Sequence, residues 1–338
     1  MRCYIIIFHV CLLLIKATSS KAQVDPHFTQ FYAFPVWLNP AMTGNINGGD
    51  ARMVAIHRNQ WNNVSSPFST IGISYDWLTR KSWGFGVQAV HQTAGGGGYR
   101  NATVALSIAN NNIKWGEEEE QHLSLALQIG VNNRSIEPDK FQYGDQYNPV
   151  IGYDPSIYSR AGNRIVRNAL LQPDAGAGFF YYRMQTDVKW IPFGGFSVSH
   201  LNKPNDNFSD KEAVLPIRYT GHIGAIVTTE SNLSIEPSLL FMKQGKSTEL
   251  VAGVQGEFEL NEAMRFSLGA NYRVNDAINA LGSITVNGTR FGFSYDINAS
   301  GLRSFTKPVN SLEVSISRIV MRRNPFQEMI ERCPNIKL

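Results

Sequence analysis

The sequence predicts an all-β protein, a single transmembrane antiparallel β-barrel of about 14 strands with a periplasmic N-terminal arm and a periplasmic C-terminal tail. Three observations support this fold class. Short segments of alternating apolar and polar residues recur along the whole chain. No stretch after residue 22 is apolar over the length that a transmembrane helix needs. The first 22 residues are typical of an export signal.

Residues 1–22 have the three parts of a secretory signal peptide. Arg2 supplies the positive start, residues 3–15 form an apolar run, and Ala22 is the small residue before the predicted cleavage. The apolar run is shorter than the roughly 20 residues that a helix needs to cross a bilayer. We therefore expect cleavage that leaves Gln23 as the N-terminus, with an uncleaved anchor as the alternative.

The composition excludes some classes of function. Removal of the leader leaves Cys333 as the sole cysteine, so no internal disulfide can form, and this thiol would be either buried or bonded to another protein. The leader contains three of the 31 basic residues, which leaves 28 against 27 acidic residues in a nearly neutral mature chain. Nucleic-acid binding is not expected, because it needs a concentrated basic face.

Period-two alternation is the main structural signal. From Leu123 to Val131 every second residue is apolar, and because successive side chains of a strand point to opposite faces, these residues form one apolar face. Four further segments alternate as strongly: 250–260, 264–273, 291–297 and 312–316. Nine alternate more weakly: 52–59, 68–77, 83–91, 101–109, 174–183, 193–201, 217–228, 233–242 and 278–286. Together they predict an even number of membrane-crossing strands.

These strands divide the chain into a signal peptide (1–22), an N-terminal arm (23–50), a barrel (51–320) and a periplasmic tail (321–338). With both termini inside, the outer connections are the longer ones, as in membrane barrels. Asn287-Gly288 is a strong signal for a tight inner hairpin.

Two connections are longer than a simple hairpin needs. The inner link 110–121 contains the acidic run 117–120, which we interpret as a solvated turn or, alternatively, as a cation or partner site. The outer connection 133–173 is rich in tyrosine, whereas disordered segments are poor in aromatics. We expect it to be a folded plug or an outer recognition loop, with a surface loop of no defined role as the alternative.

The sequence contains no convincing catalytic or ligand-binding pattern. Neither G-x-S-x-G nor H-E-x-x-H occurs, and the histidines lack the spacing of metal ligands. We therefore expect no catalytic residues, no cofactor and no metal. Charges on the predicted inward faces, among them Glu249, Arg273 and Asp296, are mixed in sign. They would either form a salt-bridged filling of the lumen or line a pore.

Three blocks of sequence resemble one known family. The first block is Asp25, Pro26, Phe28 and Gln30, followed by Asn39, Pro40 and Gly44. The second is Arg58, Gln60, Trp61, Pro67 and Phe68, followed by 74–76. The third is 292–296 with 311–317, followed by Cys333-Pro334. These blocks resemble the opening, the first outer loop and the closing strands of the PorP/SprF family of outer-membrane proteins of the type IX secretion system.

The resemblance implies a non-catalytic component of type IX secretion and gliding machinery in the bacterial outer membrane. Its partners would be outer-membrane lipid and either periplasmic secretion-motor proteins or a secreted surface protein. Residues of the first two blocks are then candidate partner contacts, and 23–50 is either a periplasmic arm or a segment inside the lumen. Two rival functions stay open: a channel or transporter for small solutes, and an outer-membrane enzyme.

Overall fold

The computed structural model describes residues 25–60, 67–160, 162–184, 189–209, 212–229, 232–261, 263–298 and 309–320. The predictions for the signal peptide, Trp61, the C-terminal tail and Cys333 concern residues outside these ranges.

Fourteen strands of the described chain close into one antiparallel barrel, which confirms the predicted fold class and strand number. They are β1 (Ala51–Gln60), β2 (Phe68–Leu78), β3 (Trp83–Ala94), β4 (Tyr99–Trp115), β5 (Gln121–Ile136), β8 (Ala169–Arg183), β9 (Trp190–Ser199), β10 (Arg218–Thr228), β11 (Leu233–Gln244), β12 (Ser247–Asn261), β13 (Met264–Arg273), β14 (Ala277–Val286), β15 (Thr289–Asn298) and β16 (Val309–Val320). The first and last strands close the ring, with Ala51 opposite Val320 and Gln60 opposite Ser311. A separate hairpin of β6 (Tyr147–Asn148) and β7 (Gly152–Tyr153) lies in the longest loop.

The alternating pattern gives this barrel an apolar outside and a polar inside. In β5, Leu125, Leu127 and Ile129 are exposed, with Leu127 at 63%, whereas Ser124 and Ala126 of the opposite face are buried. The exposed apolar side chains of the other strands continue this outer surface. Such an exterior suits the hydrocarbon core of a bilayer. Among the described residues, no helix has the length and apolarity to cross a membrane.

The two rims of the barrel differ in their connections. We call the rim at the start of β1 and the end of β16 the terminal rim; its connections are 79–82, 116–120, 184–189, 229–232, 262–263 and 287–288. The opposite rim, the loop rim, has the connections 61–67, 95–98, 137–168, 200–217, 245–246, 274–276 and 299–308. Short turns of membrane barrels face the periplasm, so the loop rim faces the cell exterior. Asn287 and Gly288 both have positive φ, as a tight hairpin requires.

Two predicted connections are shorter than expected. The link 110–121 is reduced to the turn 116–120, because β4 continues to Trp115 past a register shift between Asn110 and Ile113. That irregularity hides the alternation from sequence reading. The outer connection is 137–168 and contains β6, β7 and short helical turns; it packs along the loop rim, where the amide of Glu137 bonds the carbonyl of Gly98 at 2.7 Å. It is therefore folded, and it is not the plug of the barrel.

The lumen is filled instead by residues 25–50, which we call the plug. Of the two positions that the sequence left open, the structure has the lumenal one, and the expected periplasmic arm is wrong over these residues. The plug consists of a helical turn at Phe31–Ala33, a one-turn helix α1 (Pro35–Leu38) and a second turn at Pro40–Met42. Proline at the start of two of these turns fixes φ for a helical start. The compact turns bring the aromatic side chains of the plug against the barrel wall.

A charge on the outer face tests the membrane-facing assignment. Leu127→Arg places a cation midway along β5 and is expected to lower the free energy of unfolding in lipid by about 2–4 kcal/mol. Asn133→Arg, at an exposed position of the same strand near the loop rim, is expected to cost at most about 1 kcal/mol. Urea titration of the protein in lipid vesicles measures both, and equal costs would contradict the assignment.

Candidate functional site

The plug crosses the whole lumen from one rim to the other. Asp25 contacts Arg218 and Gln244, which lie at the ends of β10 and β11 on the loop rim. The amide of Asp50 bonds the carbonyl of Val320 on the terminal rim at 2.9 Å. The plug therefore begins at the outer mouth and ends at the terminal rim, and the whole first sequence block lies along it.

At the outer mouth, three donors converge on one oxygen of Asp25. Its Oδ2 lies 2.6 Å from His200 Nε2, 3.2 Å from Arg218 Nη1 and 3.1 Å from Gln244 Nε2. The other ring nitrogen of His200 lies 3.0 Å from Asp174 Oδ1. Each of these side chains is largely buried. We call Asp25, His200, Arg218, Gln244 and Asp174 the mouth cluster.

The charges of the mouth cluster reinforce each other. Burial opposes ionisation of Asp25, but the nearby cations His200 and Arg218 outweigh it and hold the pKa of this carboxyl well below its usual value. Burial likewise disfavours the imidazolium of His200, but Asp25 and then Asp174 raise its pKa to about 9. At neutral pH His200 is therefore doubly protonated and donates a hydrogen bond to each carboxylate.

A second polar contact lies next along the plug. The carboxylate of Glu313 accepts the backbone amides of Thr29 and Gln30, each at 2.8 Å. The hydroxyl of Thr29 donates to Asp296 at 2.9 Å, and the hydroxyl of Ser315 donates to Gln30 Oε1 at 2.8 Å. The last two strands of the barrel, β15 and β16, thus bind the first sequence block through acidic and hydroxyl side chains.

Arg58 joins these acidic groups from the other side of the closing seam. Its Nη2 lies 3.0 Å from Asp296 Oδ2, its Nη1 donates to the carbonyl of His27 at 3.1 Å, and Glu313 lies at 3.9 Å. Arg273 approaches Asp296 at 3.6 Å from β13. Of the two arrangements open for the lumenal charges, a salt-bridged filling is the one observed. Arg58 is a lumen residue that holds the plug.

Apolar packing fills the space between these polar contacts. The rings of Phe28 and Phe34 meet edge to face at 5.5 Å, and Trp37 donates from its indole N–H to the carbonyl of Pro26 at 3.3 Å. Phe28 and Phe34 pack in one buried cluster with Val54, Ile56 and Val90. A second cluster joins the plug to the opposite wall through Phe31, Leu38, Ala41, Met42, Ala109, Ala126, Phe180, Tyr182, Phe193, Ile226, Leu240 and Val251.

Asn39 is completely buried and connects the plug to the β8–β10 wall. Its amide donates to the carbonyl of Phe179 at 2.9 Å and lies 3.2 Å from His222 Nε2, while its oxygen accepts the amide of Ala41 at 2.9 Å. That last bond caps the turn that begins at Pro40. Asn39 of the Asn-Pro pair therefore both caps the turn that begins at Pro40 and binds the barrel wall.

Close approach of the plug to the wall depends on glycine. A Cβ on Gly178 or Gly195 would lie 2.3 Å or 2.6 Å from the side-chain atoms of Asn39. Gly44 has φ +73°, and a Cβ there would lie 2.6 Å from the Cα of Gly84 on β3. Gly44 is thus required both for its left-handed backbone and for the space that it leaves.

An ion pair fixes the end of the plug at the terminal rim. Arg52 contacts Asp76 through two bonds of 3.1 Å and 2.8 Å, and the same guanidinium donates to the carbonyl of Met42 at 3.1 Å. Asp76 also accepts the amide of Gly44 at 2.9 Å. Both side chains of the pair are buried, where a paired charge is needed to offset desolvation.

The rest of the second block lies elsewhere. Gln60 ends β1 opposite Phe68 of β2, both half-buried at the loop rim, and Pro67 is exposed there. The structure therefore brings Asp25, Pro26, Phe28, Gln30, Asn39, Pro40, Gly44 and Arg58 together in the lumen, and separates Gln60, Pro67 and Phe68 from them.

Sequence reading did not select several residues that complete the site. Asp76, Asp296 and Glu313 belong to the quoted sequence blocks, and the presence of Arg58 in these blocks alongside Asp296 and Glu313 was a usable signal. His200, Arg218 and Gln244 carried no such signal, because only closure of the barrel brings them to Asp25. Among the described residues, no group of three or more His, Cys, Asp or Glu side chains is arranged to hold a metal ion.

A family model for the type IX secretion system membrane protein PorP/SprF matches residues 20–317. The chain belongs to this family. Membership and the closed barrel with its apolar exterior agree on the bacterial outer membrane as its location. No curated protein matches the PorP/SprF family chain.

Solved structures resemble the fold of this PorP/SprF family member at low identity. The toluene transporter TbuX of Ralstonia pickettii is 9% identical over 84% of this chain and 93% of its own, with a TM-score of 0.49. The monoaromatic hydrocarbon channel CymD is 9% identical over 86% and 94%, with a TM-score of 0.49. A FadL homologue of Pseudomonas aeruginosa is 10% identical over 83% and 92%, with a TM-score of 0.46. At identities this low, the likeness concerns the fold alone.

A pair of glycine substitutions tests the anchoring of the plug. Gly48 has a left-handed backbone (φ +71°), and an added Cβ there would have no atom within 4 Å. Gly48→Ala is therefore expected to lower the free energy of unfolding by about 1 kcal/mol, through backbone strain alone. Gly44→Ala adds a steric conflict with Gly84, and is expected to cost about 2 kcal/mol more, with faster amide exchange over 40–46. Thermal unfolding and hydrogen exchange measure these effects; equal effects of the two variants would contradict this packing.

The mouth cluster predicts a pH profile. The raised pKa of His200 means that its stabilisation is complete below the unfolded value of about 6.5 and is lost as pH rises through about 9. His200→Gln should therefore lower the unfolding temperature most near pH 6 and least near pH 10. Circular dichroism melts across this range measure the difference. In an Asp25→Asn background most of this pH dependence should vanish, and a difference that is constant with pH would contradict the pairing.

Proposed function

We propose that this PorP/SprF family protein is a non-catalytic component of type IX secretion that holds a secreted surface polypeptide at its loop rim. The observation that carries the proposal is the filled lumen. Ion pairs, hydrogen bonds and apolar clusters fix the plug from the outer mouth to the terminal rim. The described lumen is therefore filled and leaves no open path for a solute. Function then depends on the surfaces that the rims present.

The loop 137–168 supports the outer rim as the binding surface. Its fold is held from within: Asp145 accepts the hydroxyl of Ser159 at 2.8 Å and the amide of Arg160 at 2.8 Å, and Gln146 donates to the carbonyl of Ile157 at 2.9 Å. The loop is therefore an ordered surface that a partner can bind with little further loss of conformational entropy.

Apolar side chains of this ordered loop point outward. Val150 is 90% exposed, Tyr158 is 72% exposed, and Ile151, Tyr147 and Val166 are exposed by more than half. These side chains belong to a connection of the loop rim and not to a membrane-crossing strand, so contact with the lipid core does not account for their exposure. Exposed apolar groups of this kind mark protein interaction sites.

The terminal rim offers less to a periplasmic motor complex. Among its described residues, the acidic turn 116–120 stands out, since Glu117, Glu118 and Glu119 are exposed. Lys114 pairs with Glu119 at 3.5 Å. We therefore assign the motor complex as the second partner class, to be separated from the first by experiment.

Affinity purification of the tagged full-length protein from native membranes tests the proposal. Wild-type protein is expected to retain a large secreted polypeptide, and the double variant Val150→Asp with Ile151→Asp is expected to retain at least about tenfold less, since each tenfold corresponds to about 1.4 kcal/mol. Glu117→Lys with Glu118→Lys, on the opposite rim, is the matched control and should retain it. Retention of periplasmic motor proteins alone, lost in the control variant, would overturn the outer-rim assignment.

Conductance separates this function from a solute channel. In planar bilayers the wild-type protein is expected to show no steady current, because the plug fills the lumen. Replacement of residues 25–42 by a glycine-serine segment of equal length removes the side chains that pack there and is expected to give stable open currents. A steady current through the wild-type protein would favour the channel instead.

A further inference from the structure

We propose that the outer mouth contains a carboxylate-binding site, formed by His200, Arg218 and Gln244 and occupied in this structure by the chain's own Asp25. We further propose that a carboxylate of a surface polypeptide takes the place of Asp25. The identity of that occupant rests on the proposed function, whereas the site itself rests on the geometry of the mouth cluster.

The geometry is that of a built anion site. Three donors from three separate segments converge on one oxygen of Asp25 at 2.6–3.2 Å. Asp174 binds the far nitrogen of His200 at 3.0 Å and so fixes the direction of its ring. The ring of Trp37 lies 4.8 Å from the guanidinium carbon of Arg218, which holds that side chain in place.

The local charge favours one further carboxylate as long as His200 is protonated. Besides His200 and Arg218, the cation that faces Asp25 is Arg134, which pairs with Asp206 at 2.6 Å. Without Asp25, these three cations would face the two carboxylates of Asp174 and Asp206. Glu249, on the neighbouring wall, is paired with Arg273 at 3.1 Å. With His200 protonated, an anion with one negative charge therefore balances the emptied cluster.

The site has donor capacity that Asp25 leaves unused. Nε of Arg218 is buried and has no hydrogen-bond partner among the described residues. Arg218 and His27 line one small cavity between the plug and β10–β12, with a volume of about 20 Å³. A carboxylate that is free of the plug backbone can approach Arg218 by two bonds, the arrangement that guanidinium groups favour.

Release of Asp25 does not require release of the plug. The described hydrogen bonds of the Asp25 side chain and amide all go to the mouth cluster. The next anchors are separate: Arg58 on the carbonyl of His27, and Glu313 on the amides of Thr29 and Gln30. Asp25 can thus exchange with a ligand while the rest of the plug stays closed.

Chemical rescue of the full-length protein in detergent tests the site. Asp25→Ala empties it, and sodium acetate is expected to raise the thermal unfolding midpoint of this variant by about 2–4 °C over sodium chloride at equal ionic strength. The wild-type protein and Asp25→Asn, in which the site stays filled, are expected to shift by less than about 1 °C. Asp25→Ala combined with Arg218→Gln should not respond to acetate. If Asp25→Ala does not fold, as judged by heat-dependent gel mobility, Asp25→Ser takes its place.

No acetate-specific rise in the emptied variant, or an equal rise in the Arg218→Gln background, would overturn the site. A labelled Gly-Ser-Gly peptide tests the polypeptide occupant: its free carboxylate form should bind Asp25→Ala at least about tenfold more tightly than its C-terminal amide. Equal binding of the two forms would overturn a polypeptide carboxylate as the ligand. If a surface polypeptide co-purifies but acetate does not rescue Asp25→Ala, the carboxylate site is refuted and the proposed function stands. If acetate rescues the variant but no such polypeptide co-purifies, the proposed function is refuted and the site stands.

Discussion

The rest of the structure depends on the pairing of buried charges on the lumen wall, which the plug completes with hydrogen bonds. Arg58, Asp296 and Glu313 project from the strands into the filled lumen, where they are buried from solvent. Loss of one partner from such a buried pair costs about 3–5 kcal/mol. The backbone amides and carbonyls of the plug complete their coordination. The plug therefore adds to the stability of the barrel wall.

The fold was largely predictable from the sequence, because alternation is a local property. Each strand segment shows its two faces through its own residues, as in Leu125 and Leu127 against Ser124 and Ala126. Prediction failed where the alternation is interrupted, at the register shift after Asn110. The position of the plug was left open between periplasm and lumen. The short turns around Pro35 and Pro40 have no regular alternation of apolar and polar residues, so the sequence does not show which of their faces is buried.

The candidate site was predictable only in part. Asp25, Asn39, Gly44 and Arg58 were selected because they belong to recognisable blocks, but their roles as wall contacts depend on partners far along the chain. Asp25 meets His200 and Arg218, each more than 170 positions away. Pairings of this kind exist only after the sheet has closed, so neither composition nor spacing reveals them.

The path of the plug constrains how the protein is assembled. The chain passes through the ring before β1 begins, and β1 and β16 complete that ring. The N-terminal segment must therefore be seated while the wall is still an open sheet, or it would have to be threaded through a finished cylinder. Seam closure between the first and last strands is then the committing step of insertion. A bulky folded domain fused ahead of Asp25 would have to be carried across the bilayer with the nascent wall, and its size would limit biogenesis.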